Sequence, residues 1–240
     1  MKQIKVLGSG CTKCVKTAEL IEKIASEINV SVNVSKETSP EIIMSYGVMS
    51  TPAVVIDEQL VHSGSMPHSA GAIFMTHPFD LLKLDNGARF IFTPCPGTKD
   101  VDLTTSVKQL KNAGAQAIVT LMYDAEMKKN EAETLPHACN EQGIKWFQLP
   151  ILDNDAPNED FATAFKCHLD DLLSILRNQG TVAVHCKGGS GRTGLVIGLL
   201  MYELGYDKTE IINQVQKVRP KALSHPVQLS FFNAFQKVGA

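Results

Sequence analysis

The chain has 240 residues, of which 44% are hydrophobic and 20% are charged, a composition that supports an ordinary packed core and excludes wholesale disorder. Its formal net charge of -2 argues against a dedicated nucleic-acid binder. No apolar run approaches the ~20 residues that span a bilayer, and the segment Met1–Leu7 lacks signal-peptide features, so we expect a cytoplasmic protein with no nucleic-acid or membrane partner.

The amino-terminal part of the chain predicts a small domain of the order βαβαββ. Alternating apolar residues indicate strands, and apolar residues that recur every three or four positions indicate a helix. A serine followed by a proline is typical of a helix start, so Ser39 is the predicted N-cap and Pro40 the first helical residue. The predicted elements are a strand over 2–7, a helix over 15–28, a strand over 30–34, a short helix over 40–47 and a hairpin of strands over 53–56 and 60–62.

The stretch from Ser63 to Pro78 is rich in glycine, serine, proline and histidine, which is the composition of a linker. It predicts a boundary that divides the chain into a first domain over residues 1–72 and a second domain over residues 73–240. A short helix over 69–75 also fits this stretch.

The second domain alternates predicted strands with predicted helices. This pattern indicates an α/β fold with a mostly parallel sheet that is flanked by helices on both faces. The predicted strands cover 89–92, 117–121, 144–148 and 181–185, and the predicted helices cover 103–113, 135–142, 161–180, 192–204, 207–217 and 226–237.

The segment from His185 to Gly194 is rich in glycine and joins a predicted strand to a predicted helix. Glycines in such a turn let backbone N–H groups point inward, and together with the helix N-terminus they bind an anion. The same field favours a cysteine thiolate, and the planar fork of Arg192 can hold two phosphoryl oxygens. We therefore predict Cys186 as a nucleophile, Thr193 as a donor that stabilises the leaving thiolate, and His185 as a support of the loop. The residues expected to contact the phosphate are Lys187, Gly188, Gly189, Ser190 and Gly191.

This motif, His-Cys-x-x-Gly-x-x-Arg-Thr-Gly, resembles the signature of the cysteine-dependent protein phosphatases. The second domain is most similar to their compact dual-specificity branch, which includes the kinase-associated phosphatases and their bacterial relatives. Further segments that carry the resemblance are Phe90–Gly97, Leu149–Asp153 and Gln228. The resemblance implies hydrolysis of phosphotyrosine, and also of phosphoserine and phosphothreonine, in phosphorylated proteins. It further implies a phosphocysteine intermediate and neither a metal nor another cofactor.

Phosphoryl transfer also needs a general acid, which should lie on a loop able to reach the pocket. Asp153 and Asp155 lie on such a segment, Leu152–Pro157. By the resemblance Asp153 matches the family's acid, because it follows the proline of the incoming strand by three residues. Asp155 is the alternative, and aspartate near proline also commonly starts a turn.

The first domain carries Cys11 and Cys14 in a Cys-x-x-Cys pair between a strand and a helix. The helix start favours a thiolate on Cys11, and Cys14 would be the resolving thiol. Pro52 precedes a strand, which is typical of a cis-proline turn that faces a dithiol. These features resemble small archaeal and bacterial thioredoxin-like redox proteins. The alternatives are zinc binding, for which the sequence offers no second ligand pair, and a redox-inactive docking domain.

A thiolate nucleophile is easily oxidised, and a tethered dithiol has a high effective concentration. We therefore expect Cys11 and Cys14 to reduce or regulate Cys186 through disulfide exchange, with a thioredoxin reductase or another donor supplying electrons. Cys95 is either a redox partner of Cys186 or a structural turn residue. The alternatives for the whole chain are a thiol-disulfide oxidoreductase with a phosphoprotein-binding domain and a phosphoinositide phosphatase, which Lys187 would favour.

Overall fold

The computed structural model describes residues 2–27, 30–65 and 76–238. The chain divides into two compact units, Met1–Met75 and Thr76–Ala240. The predicted boundary between residues 72 and 73 and the predicted short helix over 69–75 lie outside the described residues. Across the described ranges, none of the helices combines the length and the apolar character that crossing a membrane requires.

The first unit has the predicted order βαβαββ. Its elements are β1 (Lys2–Leu7), α1 (Thr12–Glu27), β2 (Val32–Glu37), α2 (Pro40–Ser45), β3 (Ala53–Ile56) and β4 (Gln59–Ser63). The strand order in the sheet is β2-β1-β3-β4. Strands β1 and β2 are parallel, and the other two pairs are antiparallel, which confirms the predicted hairpin of β3 and β4.

Helix α1 packs on this sheet through one face, because its apolar side chains recur at helical spacing. Ala18 and Ile21 form one buried cluster with Val6 of β1 and Val54 of β3. The side chain of Cys14 belongs to the same cluster. The hydrophobic packing therefore fixes the first turn of α1, where the dithiol lies, against the sheet.

The second unit contains the remaining strands and helices. They are β5 (Asp80–Lys83), β6 (Arg89–Pro94), α3 (Leu103–Asn112), β7 (Ala117–Thr120), α4 (Asp124–Lys129), α5 (Leu135–Glu141), β8 (Lys145–Gln148), α6 (Glu159–Arg177), β9 (Thr181–Cys186), α7 (Gly191–Glu203), α8 (Lys208–Val218) and α9 (Pro226–Ala234). The strand order is β5-β6-β9-β7-β8. Only the edge pair β5–β6 is antiparallel, and the other pairs are parallel, so the predicted mostly parallel α/β fold is confirmed.

The sequence did not predict β5 and α4. Strand β5 has four residues of which only Leu82 is buried, so neither an alternating pattern nor a long apolar run identifies it. Helix α4 has six residues and buries only Met127, which is too little for a helical period. The last helix was predicted to reach residue 237, but it ends at Ala234 because Phe235 leaves the helix and packs its ring near Phe165.

Strand β9 lies in the middle of the second sheet and is buried along its whole length. Val182 and Val184 belong to the hydrophobic cluster that contains residues of α6 and α7, and Ala183 belongs to the cluster with residues of α3 and α5. A parallel strand that is covered on both faces carries a continuous apolar run, which explains why the sequence identified it. Its carboxyl end lies between those of β6 and β7, at the sheet edge where open α/β folds bind ligands.

Candidate active site

The predicted nucleophile is the last residue of β9, and the following loop leads directly into α7. Cys186 is buried, with 5% of its surface exposed. The Gly189 N–H donates a hydrogen bond to its Sγ over 3.2 Å, and the Thr193 hydroxyl donates a second over 3.3 Å. Two hydrogen-bond donors and the N-terminus of α7 therefore converge on one sulfur atom.

Gly189 has a conformation and surroundings that only glycine tolerates. Its φ of +74° lies in the left-handed region. A Cβ atom at this position would also lie 2.5 Å from the backbone carbonyl of Thr93. The close approach of the loop to β6 therefore depends on a missing side chain and aims the Gly189 N–H at Cys186.

Arg192 is 2% exposed and is held by several partners. Its Nη1 and Nη2 atoms donate to the two carboxylate oxygens of Glu126 over 2.7 Å each. Nη1 also donates to the carbonyl of Ile151 over 3.0 Å, and Nη2 lies 3.1 Å from the carboxylate of Asp153. Desolvation lowers the pKa of the guanidinium, but the hydrogen bond to Glu126 and the neighbouring negative charges outweigh it, so the pKa is raised and the group stays charged.

The Nε atom of Arg192 is buried and has no hydrogen-bond partner among the described residues. It lies on the same edge of the planar guanidinium as one of the two Nη2 hydrogens. That edge is the fork that can bind two phosphoryl oxygens. The Asp153 carboxylate lies 3.1 Å from Nη2 as an ion pair.

Glu126 is a site residue that the sequence analysis missed. It lies on α4, and 66 positions separate it from Arg192 in the sequence. No local motif marks it, although a charged residue just after a strand at the carboxyl edge of a parallel sheet is a general signal for such a role. The bidentate pair fixes the orientation of the guanidinium in the loop.

The two candidate acids differ in their positions. Asp153 lines the cleft above Cys186 and contacts Arg192, and 62% of its side chain is exposed. The Asp155 carboxylate instead accepts a hydrogen bond from the backbone N–H of Ala156 over 2.8 Å, as in a turn. The Asp155 carbonyl accepts from Gln228 Nε2 over 3.3 Å. The arrangement therefore favours Asp153 over Asp155 as the group that faces a substrate.

His185 lies within the sheet and does not line the cleft. Its Nε2 is 2.7 Å from the hydroxyl of Thr120, which also accepts a hydrogen bond from Trp146 Nε1 over 2.8 Å. Since that hydroxyl accepts from Trp146, it is free to donate its proton to His185 Nε2. Burial lowers the pKa of His185 to about 3, so the ring is neutral and supports the loop from inside the sheet.

An open cleft of about 640 Å³ surrounds the sulfur of Cys186. Of the five residues predicted to contact the phosphate, Lys187, Gly188, Ser190 and Gly191 line it, whereas Gly189 packs behind the loop. The cleft also contains residues to which the sequence analysis gave no role, among them Lys99, Lys221 and Ser224. Gln228 lies on the wall, with its Oε1 atom buried and unpartnered among the described residues.

The dithiol of the first unit lies at the start of α1. Cys11 is exposed and Cys14 is 2% exposed, and their sulfur atoms are 3.6 Å apart. Hydrogen bonds from the backbone N–H and the thiol of Cys14 lower the pKa of Cys11 to about 7, and burial raises the pKa of Cys14. Among the described residues, no group of three or more metal-ligating side chains is present to hold a zinc ion.

The predicted proline turn lies beside this dithiol. The Thr51–Pro52 peptide bond is cis. A Cβ atom added to Gly8 would lie 2.5 Å from the sulfur of Cys14 and 3.2 Å from the Cβ of Thr51. The missing side chain of Gly8 therefore lets the turn and the buried cysteine approach the same point.

The other cysteines have different surroundings. Cys95 is buried beside the loop that follows Cys186, and its backbone N–H donates a hydrogen bond to the carbonyl of Lys187 over 3.3 Å. Burial raises the pKa of the Cys95 thiol to about 12. Cys139 is buried, and burial raises its pKa to about 12 as well, whereas Cys167 is exposed. All six cysteines are free thiols in this structure.

Two protein-family models match the chain. A thioredoxin domain model matches residues 2–72, and a model described as "Polymorphic toxin system, DSP-PTPase phosphatase" matches residues 97–205. Both agree with the resemblances that the sequence motifs carry. The first unit is thus similar to a thioredoxin domain, and the second unit is similar to the dual-specificity phosphatases.

Individual relatives point in the same direction. Over 87 residues the chain is 41% identical to tyrosine-protein phosphatase CDC14 of Saccharomyces cerevisiae, a match that covers 36% of this chain and 15% of that protein. Over 113 residues it is 30% identical to human cyclin-dependent kinase inhibitor 3, covering 45% of this chain and 52% of that protein. The chain spans about half the length of these relatives or less.

A crystal structure of kinase associated phosphatase, with a substitution of its catalytic-site cysteine by serine, shares the fold. Its TM-score is 0.59 at 22% sequence identity, and the match covers 66% of this chain and 93% of that chain. This likeness supports the assignment of the fold of the second unit.

Proposed function

We propose that this chain, which joins a thioredoxin-like unit to a dual-specificity phosphatase-type unit, is a cysteine-dependent protein phosphatase. Its substrates are phosphotyrosine and, in the same cleft, phosphoserine and phosphothreonine. The observation that carries the proposal is the convergence of the Gly189 N–H and the Thr193 hydroxyl on the sulfur of Cys186. Such donors stabilise negative charge on a sulfur nucleophile, and the cleft offers further backbone and arginine donors to a phosphate.

In the first step of the proposed reaction, the Cys186 thiolate attacks phosphorus, and the bond to the substrate oxygen breaks. The loop N–H groups and the Nε and Nη2 edge of Arg192 hold the equatorial oxygens. A phosphoryl oxygen takes the place of the Asp153 carboxylate at Nη2, 3.1 Å away in this structure. The displaced Asp153 carboxylate takes up a proton from solvent as the substrate binds and then donates that proton to the leaving oxygen.

In the second step, Asp153, now a carboxylate, takes a proton from water as the water oxygen attacks the phosphocysteine. The sulfur–phosphorus bond breaks, inorganic phosphate leaves, and the Thr193 hydroxyl stabilises the returning thiolate over 3.3 Å. The unpartnered Oε1 of Gln228 is placed to accept a hydrogen bond from that water at the cleft wall.

The first test compares two aspartate variants on a phosphotyrosine peptide and on para-nitrophenyl phosphate. Asp153→Asn should lower kcat on the peptide about 100-fold, because its leaving group needs a proton. The loss should be smaller on the aryl phosphate, which has a better leaving group. Asp155→Asn, the matched control, should behave like the wild type, and Cys186→Ser should be inactive on both substrates. Equal losses in the two aspartate variants would contradict the assignment of Asp153.

We also propose that the dithiol restores an oxidised phosphatase unit. The lowered pKa of Cys11 and the burial of Cys14 support this role. A peroxide converts the Cys186 thiolate to a sulfenic acid, and the Cys11 thiolate then attacks that sulfur and displaces hydroxide, which becomes water on protonation. The Cys14 thiolate attacks the sulfur of Cys11, breaking the mixed disulfide and releasing the Cys186 thiolate. The Cys11–Cys14 disulfide is reduced by an external dithiol donor such as a thioredoxin reductase system.

The test for this redox role is recovery of phosphatase activity after a pulse of peroxide, with a thioredoxin reductase and its nicotinamide reductant supplied. The variant Cys11→Ser/Cys14→Ser should recover more slowly than the wild type, and Cys167→Ser, which changes an exposed cysteine, is the matched control. Recovery at the wild-type rate would refute the role. Mass spectrometry of trapped disulfides would show whether Cys95 participates as a partner of Cys186.

The same assays distinguish the remaining alternatives. A thiol-disulfide oxidoreductase with a phosphoprotein-binding unit would bind phosphopeptides without turnover. A phosphoinositide phosphatase would prefer inositol lipids to phosphopeptides. The cytoplasmic location stays a prediction from the sequence.

A further inference from the structure

Three lysines line the cleft around Cys186. Lys99 follows β6, Lys187 lies in the loop after the nucleophile, and Lys221 lies between α8 and α9. All three are exposed, and none of them forms an ion pair within residues 76–238. Three separate segments therefore bring uncompensated ammonium groups to one opening.

The remaining charges of the site do not balance these lysines. The positive charge of Arg192 is met by the bidentate Glu126 carboxylate and by Asp153. Asp153 is the one acidic residue among the described residues that line the cleft. A cleft with charges of one sign concentrates ligands of the opposite sign. The positive charge thus exceeds what the loop and Arg192 need to bind one phosphate.

An apolar groove of about 540 Å³ lies next to the cleft. Its lining residues are Ala156, Pro226, Val227, Ser230, Phe231 and Ala234. Ser230, Phe231 and Ala234 follow Val227 by three, four and seven residues, so these four side chains lie on one face of α9. Pro226 lines both the groove and the cleft, so the two surfaces are continuous. Val227 is 44% exposed, although an apolar helix face is normally covered.

We infer that the site selects phosphoproteins in which an anionic side chain and an apolar side chain flank the residue that carries the scissile phosphate. The anionic side chain is an aspartate, a glutamate or a second phosphorylated residue, and it faces Lys99 and Lys221. The apolar side chain occupies the groove along α9. This inference rests on the proposed function and adds a substrate class to it. An inositol polyphosphate would match the lysines but would leave the apolar groove empty, which is why the surfaces favour a peptide.

The first experiment measures kcat/KM for phosphotyrosine peptides of equal length with acidic, serine or lysine flanks, and for one with a second phosphorylated residue. The wild type should prefer acidic over serine flanks about tenfold, as expected for several exposed charge pairs. Lys99→Ala/Lys221→Ala should reduce this preference to about twofold. Lys108→Ala/Lys166→Ala removes the same amount of charge from exposed lysines that do not line the cleft. This control variant should keep the wild-type preference for acidic peptides. In the wild type, added salt should weaken the preference.

The second experiment exchanges leucine for serine at each flanking position of the acidic peptide. At one position the leucine peptide should have a kcat/KM about tenfold higher than the serine peptide, a difference that burial of a few methylene groups produces. Val227→Ser should reduce that preference, while Val238→Ser, which alters an exposed valine outside the groove, should not.

Equal kcat/KM for acidic and serine peptides would overturn the inference, and so would a preference that survives in Lys99→Ala/Lys221→Ala. Faster turnover of inositol polyphosphates or of phosphatidylinositol phosphate vesicles than of every peptide would also overturn it. The first two failures leave the proposed function standing, because phosphopeptides are still hydrolysed, whereas a preference for inositol phosphates would favour the phosphoinositide phosphatase and overturn the proposed function as well. If the wild type hydrolyses neither para-nitrophenyl phosphate nor any peptide, the proposed function itself fails, and the inference fails with it.

Discussion

Glu126→Gln is the substitution that tests most sharply how the site holds its arginine. The change keeps the shape of the side chain but removes its charge, and it places an amide NH₂ group against an N–H of Arg192. Arg192 is 2% exposed and would lose one of its two 2.7 Å hydrogen bonds to a carboxylate. It would retain the carbonyl of Ile151 and the carboxylate of Asp153.

The magnitude follows from these contacts. Removing one partner of a buried ion pair costs about 3–5 kcal/mol. The Glu126 side chain is 22% exposed and Arg192 keeps other acceptors, so we expect a smaller loss of about 2–3 kcal/mol. For a unit of this size that corresponds to a fall in Tm of about 5–10 °C. We also expect kcat/KM on para-nitrophenyl phosphate to fall about 10- to 100-fold, because the phosphate-binding edge of Arg192 is no longer fixed.

The assay is thermal unfolding followed by the fluorescence of Trp146, the single tryptophan of the chain, which reports on the second unit. Glu133→Gln is the matched control, since it makes the same chemical change at an exposed glutamate. We expect only Glu126→Gln to lower both Tm and kcat/KM. Equal values of Tm and kcat/KM in the two variants would refute the reasoning.

Other substitutions and conditions test separate parts of the account. Gly189→Ala should inactivate the enzyme, because it adds a clash with β6 to the strain of a positive φ. Gly205→Ala adds only the strain of a positive φ and should lower the free energy of unfolding by about 1 kcal/mol. Equal effects of the two variants on the free energy of unfolding would argue against the clash. Burial lowers the pKa of His77 to about 4 and of His185 to about 3, while unfolded histidines titrate near 6.5. The unfolded state therefore binds more protons below pH 6.5, and urea titrations should show the free energy of unfolding falling by up to about 3 kcal/mol per pH unit between pH 6 and 4.5; a flat profile would contradict their burial. The rate of alkylation of Cys11 by iodoacetamide should rise with pH with a midpoint near pH 7, and Cys11 should react faster than the buried Cys14. A midpoint near that of a free thiol would count against an effect of the helix start on Cys11.

The parts of the fold that depend on local sequence were predictable. The loop after β9 was recognised because an apolar strand, a glycine-rich turn and a helix follow each other without a gap. The Cys-x-x-Cys pair and the proline turn near Pro52 were also recognised from neighbouring residues. In the first unit the apolar spacing gave the order of the described strands and helices, and in the second unit it gave that order except for β5 and α4.

The parts that depend on contacts between distant segments were not predictable. Glu126 reaches Arg192 across 66 positions, from a helix too short to show a period. The sequence analysis gave Lys221 no role, and the segment before α9 brings this exposed lysine to the cleft. The sequence analysis gave Trp146 no role, but its Nε1 donates a hydrogen bond to Thr120 behind His185. In each of these cases the sheet and its covering helices determine which residues meet.

The proposed reaction requires Cys186 to form a covalent bond to phosphorus. The most direct measurement is mass spectrometry of Asp153→Asn, quenched in acid during turnover of para-nitrophenyl phosphate, since this variant should form the phosphocysteine and hydrolyse it slowly. We expect one phosphoryl group on the peptide that contains Cys186 and none in Asp153→Asn/Cys186→Ser. A phosphoryl group on another residue, or turnover that persists without Cys186, would contradict it.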